Sequence, residues 1–97
     1  MASLIVSYPR HEGAGFDEAY YRETHIPLVV RHWGVHGMTD AEIFWPADSE
    51  QPNVALVVLR FRDSAAIDAA LGSPGTAEVL GDVPNFTTIE PALYRAT

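Results

Sequence analysis

The sequence predicts an α+β domain in the order β-α-β-β-α-β, the split βαβ arrangement of ferredoxin-like folds, with a four-stranded antiparallel sheet and two helices on one of its faces. Three observations carry that prediction. Four runs rich in β-branched or aromatic residues are separated by turn formers, helical periodicity follows the first and third of them, and 97 residues suffice for one domain with a single modest core. With 47% hydrophobic and 20% charged residues, the chain has the composition of a folded globule rather than a disordered segment.

Residues 2–8 form the first strand, closed by Pro9 and the loop Gly13-Ala14-Gly15. A helix follows over residues 17–33. Asp17 suits its N-cap, Glu18 favours its positive end, and Gly34 stops it. Pro27 lacks a backbone donor and clashes with the carbonyl four residues back, so a kink or break is expected there. Residues 36–45 read as a second strand with mixed alternation, since Met38 and Phe44 share a face with Asp40 and Glu42. A polar, turn-rich connection over residues 46–53 leads to residues 54–62, the strongest strand signal and apolar on both faces. Asp63 or Ser64 caps a second helix, which Gly72-Ser73-Pro74-Gly75 interrupts before another turn at residues 76–80. Residues 86–94 form the last strand, whose Pro91 implies an edge position or a bulge.

Several function classes are disfavoured by composition. A net charge of −7, with six scattered arginines as the only basic side chains apart from histidine, repels phosphate backbones, so no nucleic acid partner is expected. Without cysteine there is no disulfide, thiolate nucleophile or cysteine-bound metal, which fits a reducing cytoplasm. No apolar run approaches the roughly 20 residues of a membrane span, so a cytoplasmic protein with no membrane partner is expected. The serines form no Gly-x-Ser-x-Gly elbow. His32 and His36 have metal-ligand spacing, but Gly34 lies between them and no third ligand is evident, so no metal is expected.

Chemistry concentrates in the first helix. At about 100° per residue Tyr21, His25, Leu28 and His32 share a stripe, while Ile26, Val30 and Trp33 point away from it. A phenol above an imidazole can donate, accept and move a proton. The competing reading is an amphipathic core helix with satisfied polar tips. Asp82, ahead of Pro84, reads on its own as a residue that caps its loop.

Tyr8-Pro9, Phe16-Asp17, Tyr20-Tyr21, His25, Pro27-Leu28 and the later Asp82-Val83-Pro84-Asn85-Phe86 resemble, over nearly the whole chain, the EthD family of dimeric α+β barrel proteins. The resemblance implies two subunits packing their sheets into a barrel, with a ligand cleft between each sheet and its helices. It implies a site drawn from Tyr20, Tyr21, His25 and Asp82, and chemistry on small organic molecules that ranges across ether degradation, reductase-type labels and aromatic polyketide maturation. The third strand gives independent grounds for a homodimer through the sheet faces, because one of its two apolar sets would otherwise face water.

The resulting expectation is an enzyme acting on a small apolar or aromatic oxygenated compound. His25 serves as acid/base, Asp82 orients it, Tyr21 polarises a substrate oxygen, and Tyr20, Tyr8 and Phe86 contact the ligand. No cofactor is expected, because Gly13-x-Gly15 lacks the third glycine and the parallel βαβ context of a dinucleotide site. The alternative is a non-catalytic carrier that shelters a hydrophobic intermediate.

Overall fold

The computed structural model describes residues 1–97. Strands β1 (Ala2–Pro9), β2 (Met38–Phe44), β3 (Asn53–Phe61) and β4 (Ala92–Ala96) form one antiparallel sheet in the order β2-β3-β1-β4. Period-2 alternation sends Leu4, Val6 and Tyr8 of β1, and Ala55, Val57, Leu59 and Phe61 of β3, to the same face. Helices α1 (Glu18–Tyr20), α2 (Ile26–Trp33), α3 (Ser64–Leu71) and α4 (Thr76–Gly81) belong to the two crossovers that cover it. Between them lies a core of 18 buried hydrophobic residues. Each fully buried Leu or Phe contributes about 1.5–3 kcal/mol, so this layer supplies most of the driving force. The crossover helices thus cover one face of the expected α+β sheet.

Pro27 acts on the first crossover differently from a simple kink. Between α1 and α2 the chain widens into a π-helical turn over Tyr21–His25, closed by the Ile26 N–H donating to the Tyr21 carbonyl. The wider turn relieves the crowding that the proline ring imposes on the carbonyl behind it. The extra residue also moves the inward stripe. Tyr21, His25, Val29 and Trp33 are buried, whereas Leu28 and His32 are not, so the stripe expected at Leu28 and His32 is displaced by one position. The α-helix ends at Trp33 with Gly34 as its C-cap, as expected, but Gly34 does not turn the chain away. It opens a 3-10 turn, Gly34–His36, that ends at Gly37 with φ +104°, and Gly37 is the residue whose left-handed conformation terminates the segment.

The mixed alternation of β2 also has a local cause. Met38 pairs with Phe61 and Asp40 with Arg60, so Thr39 is an extra residue that shifts the phase by one. Met38 therefore faces the core, while beyond the bulge Ala41 and Ile43 turn inward and Asp40, Glu42 and Phe44 turn outward.

The last strand is later and shorter than residues 86–94. Phe86 to Glu90 instead bind the second crossover to the first: Phe16 and Thr87 make an isolated antiparallel bridge, the Thr87 hydroxyl donates to the Gly15 carbonyl at 2.6 Å, and the Ile89 N–H donates to the Thr87 hydroxyl at 3.1 Å. With its backbone held by these contacts, the segment has no need of a sheet partner. Pro91 sits just before β4, an edge strand, consistent with its missing donor.

Candidate functional site

Two chain segments far apart in sequence meet at the site. Asp17 caps α1 by accepting the Tyr20 N–H at 3.0 Å, and its own N–H donates to the Phe86 carbonyl at 2.8 Å. That bond and the Phe16/Thr87 bridge fix the loop after α4 beside the start of the first crossover. Val83–Asn85 form a 3-10 turn, and Asp82 directly before it faces the π-helical turn.

The result is a compact polar network. His25 Nδ1 lies 2.9 Å from Asp82 Oδ2, with the two side chains 5% and 11% exposed, so the contact is shielded from competing water. On the other carboxylate oxygen, Asp82 Oδ1 accepts from the Tyr20 hydroxyl at 2.7 Å and from Asn85 Nδ2 at 2.9 Å. Burial alone would raise the Asp82 carboxyl, but the hydrogen bonds from Tyr20, Asn85 and His25 outweigh it and hold the group below its ordinary value. Asp82 is thus a carboxylate near neutral pH. For His25 the balance runs the other way: desolvation lowers its pKa from the ordinary 6.5, more than the Asp82 contact raises it. A neutral imidazole facing a carboxylate carries its proton on Nδ1, which leaves a lone pair on Nε2.

Aromatic rings enclose that imidazole. Tyr21 stacks against it with centroids 5.4 Å apart at 20°, and Phe86 packs on it at 4.6 Å. Tyr8, Phe16 and Trp45 extend the cluster around Tyr21. Beyond His25 opens a cleft of about 50 Å³ between sheet and helices, lined by Tyr8, Tyr21, Val29, Trp33, Leu59 and Leu93 among others. No protein group hydrogen-bonds Nε2 of His25, and His25 is part of the cleft wall. Burial pushes the Tyr8 phenol up to about 12, with a hydrogen bond from Tyr21 working against it. Burial, and then the Tyr8 neighbour, raise the Tyr21 phenol still further. Both stay protonated near neutral pH.

The sequence-derived residues therefore separate into groups. His25, Tyr21 and Tyr8 line the cleft, and Asp82 meets His25 from behind. Tyr20, expected to contact the ligand, does not line it; its hydroxyl holds Asp82, which raises the Tyr20 phenol above its ordinary value. Phe86 lies behind the imidazole, outside the cleft lining. Sequence reasoning missed Asn85 as a donor to Asp82, although a side-chain amide three residues after an aspartate in a proline turn is a readable signal. Trp33 both lines the cleft and ties α2 to α4, its Nε1 donating to the Thr76 hydroxyl at 3.0 Å. His32 Nε2 approaches Glu78 Oε2 at 2.8 Å but off the direction a hydrogen bond needs. No set of three side chains suited to a metal ion converges in the fold.

No protein-family model and no curated protein matches the chain. Among solved structures, an EthD-like protein from Ralstonia eutropha is 31% identical over 98% of this chain and 88% of its own, with a TM-score of 0.81. The chain belongs to the EthD-like family. Its EthD-like fold also recurs in an ethyl tert-butyl ether D family protein from Bacillus halodurans, at 17% identity over 95% of this chain and 96% of that one, with a TM-score of 0.67. SnoaB from Streptomyces nogalater, described as a cofactor-independent oxygenase, shares 15% identity over 99% of this chain and 92% of its own, with a TM-score of 0.65. At such identities these two show the shared fold alone. A DABB family protein from Mesorhizobium loti is itself described as ferredoxin-like. The α+β sheet of this chain is four-stranded and antiparallel. No helix is long and apolar enough to cross a membrane.

Proposed function

We propose that this EthD-like protein is an enzyme that moves a proton on a small, largely apolar, oxygenated organic molecule held in the cleft. One observation carries the reading: His25, fixed through Nδ1 by Asp82 at 2.9 Å and held neutral by burial, has no protein partner at Nε2 and belongs to the wall of a cleft whose other sides are almost wholly hydrophobic. Nε2 takes the proton of an acidified C–H or O–H, and the bonding pair remains on the substrate as an enolate- or phenolate-type anion. Asp82 holds the charge of the imidazolium that forms. Tyr21 stays protonated and, with a ligand present, turns its single O–H from Tyr8 to the anionic oxygen, with Tyr8 beside it on the wall. Returning the proton at another atom isomerises the molecule; attack of the carbanion on a carbonyl carbon of the same molecule, with the carbonyl π pair taken by its oxygen and the proton of the imidazolium passed to that oxygen, cyclises it. Alternatively, the electron-rich anion is the form that reacts with dioxygen, the kind of chemistry that the description of SnoaB suggests.

A second subunit belongs to this reading. On the sheet face away from the helices, Ile5 pairs with Val58 and Tyr94, and Leu56 with Phe44. Phe44 is 46% and Tyr94 67% exposed, an apolar stripe of the sort that a second sheet buries.

Native mass spectrometry of the purified protein records the subunit count and any retained small molecule, and that compound is then assayed with wild type and His25→Ala. Turnover by wild type, lost in the variant while binding persists, supports the enzyme. Binding without turnover in either protein supports the carrier, and neither binding nor turnover overturns both.

A further inference from the structure

The size of the inner cleft constrains what can reach His25. A cavity of roughly 150 Å³ is what a single benzene ring needs, and the cleft offers about 50 Å³. An aromatic or comparably bulky molecule therefore cannot lie wholly inside it. Alongside, between the loop after α4 and strand β4, lies an open hollow of about 690 Å³, lined by Pro84, Thr87, Thr88, Ile89 and Glu90. Four residues line both spaces: Leu80, Val83, Pro91 and Leu93. They form a neck. Leu80 and Leu93 are each about half exposed, at 49% and 50%, so their side chains are free to change rotamer without breaking core contacts. Leu93 sits on the edge strand β4, which Arg95 fastens to α3 through Asp68 at 2.7 Å and the Ser64 hydroxyl at 3.0 Å.

We infer that the ligand spans the neck, with its reacting end against His25 and its body in the outer hollow, and that Leu80, Leu93 and Glu90 decide which molecules are accepted. This rests on the proposed proton chemistry only for the identity of the reacting end. The hollow contains one charged side chain, Glu90, with the hydroxyls of Thr87 and Thr88, on a protein of net charge −7. Its occupant is thus an elongated, uncharged or basic molecule with an apolar head, and a carboxylate or sulfonate on the body is rejected.

The probes are three allyl naphthyl ethers, whose allyl group is the head and whose ring is the body, and they differ only in the end of a short tail on the ring: uncharged, ammonium or carboxylate. Binding is followed by calorimetry at low salt and association by stopped-flow quenching of Trp33, a cleft residue. Wild type is expected to bind the ammonium and uncharged probes more tightly than the carboxylate one. Reversing a unit charge about 7 Å from the tail changes affinity by roughly five- to tenfold, so Glu90→Lys should invert the ammonium/carboxylate order by about that factor. Leu93→Ala should speed association and Leu93→Phe slow it, each by several-fold, with circular dichroism unchanged. Absence of binding by all three probes at millimolar concentration overturns the inference, as does binding indifferent to both Glu90→Lys and the Leu93 pair. Should the probes obey the neck while no substrate turns over with a His25 dependence, the proposed reaction fails and the spanning site stands. If instead turnover depends on His25 but is insensitive to the neck, the reaction stands and the spanning site fails.

Discussion

Replacing Asp82 by Asn should move a proton within His25 while leaving the fold in place. In the native site one carboxylate oxygen receives Tyr20 and Asn85 and the other receives His25 Nδ1. An amide keeps its oxygen where the two donors are, so its NH₂ group falls opposite His25. Two N–H groups cannot face each other, and the imidazole switches tautomer, presenting the lone pair at Nδ1 and the proton at Nε2. The cleft then meets a donor in place of a base. For the proposed reaction, turnover should drop about 10²–10⁴-fold, the usual worth of a positioned general base. The stability change should be small, about 1 kcal/mol, because a charge-assisted bond to His25 becomes a neutral one. Asp82→Ala strands the buried Nδ1 N–H altogether and should cost about 2–3 kcal/mol, or roughly 10–20 °C in Tm for a domain of this size. Nitrogen-15 NMR of the imidazole reads the tautomer directly, and urea titration reads stability. Finding the proton still on Nδ1 in the Asn variant would refute the assignment. So would an Ala variant no less stable than the Asn one.

Three further outcomes follow from the same geometry. Because the folded pKa of His25 lies below 6.5, the unfolded chain binds more protons between the two values; its contribution is complete above pH 6.5 and is lost as pH falls below it. Asp82, also depressed, adds a second loss of the same sign below pH 3.8, so stability should fall in two stages on acidification, with the upper stage flattened in His25→Gln; an unchanged slope in that variant contradicts the reading. Gly37→Ala places a Cβ 2.8 Å from that of Ala66 on a residue at φ +104° and should cost about 1–3 kcal/mol, whereas Gly34→Ala, with open space and ordinary helical backbone, should gain about 0.4–1 kcal/mol; equal urea midpoints for the pair would show the conformational argument to be mistaken. Finally, if the outer sheet face joins two subunits, Leu56→Asp should yield a folded monomer by light scattering, and a wild type already monomeric at micromolar concentration removes the dimer.

How much of the fold and site is legible in the sequence depends on whether the information is local. Strands β1 and β3 declare themselves because each is a run of β-branched and other apolar residues bounded by turn formers, and Asp17 and Asp63 are readable caps, the latter accepting the Ala66 N–H at 2.8 Å. The proximity of His25 and Asp82, 57 residues apart, is legible only through pattern resemblance, since spacing along the chain says nothing of a meeting set up by the Asp17/Phe86 backbone bond. The failures share one physical origin. A single extra residue, in the π-helical turn before Pro27 and again at Thr39, advances the phase of everything downstream, and periodicity rules carry no term for such an insertion. At the first position the slip brings Trp33 to the cleft and swings His32 toward Glu78. Pro27 is readable as a perturbation, and the break expected there takes the form of the π-helical turn that sets which side chains face the cleft. An ideal helix through residues 17–33 would keep Tyr21 and His25 stacked while directing Leu28 and His32 inward. The widened turn therefore makes the cleft apolar by substituting Val29 and Trp33 at those inward positions.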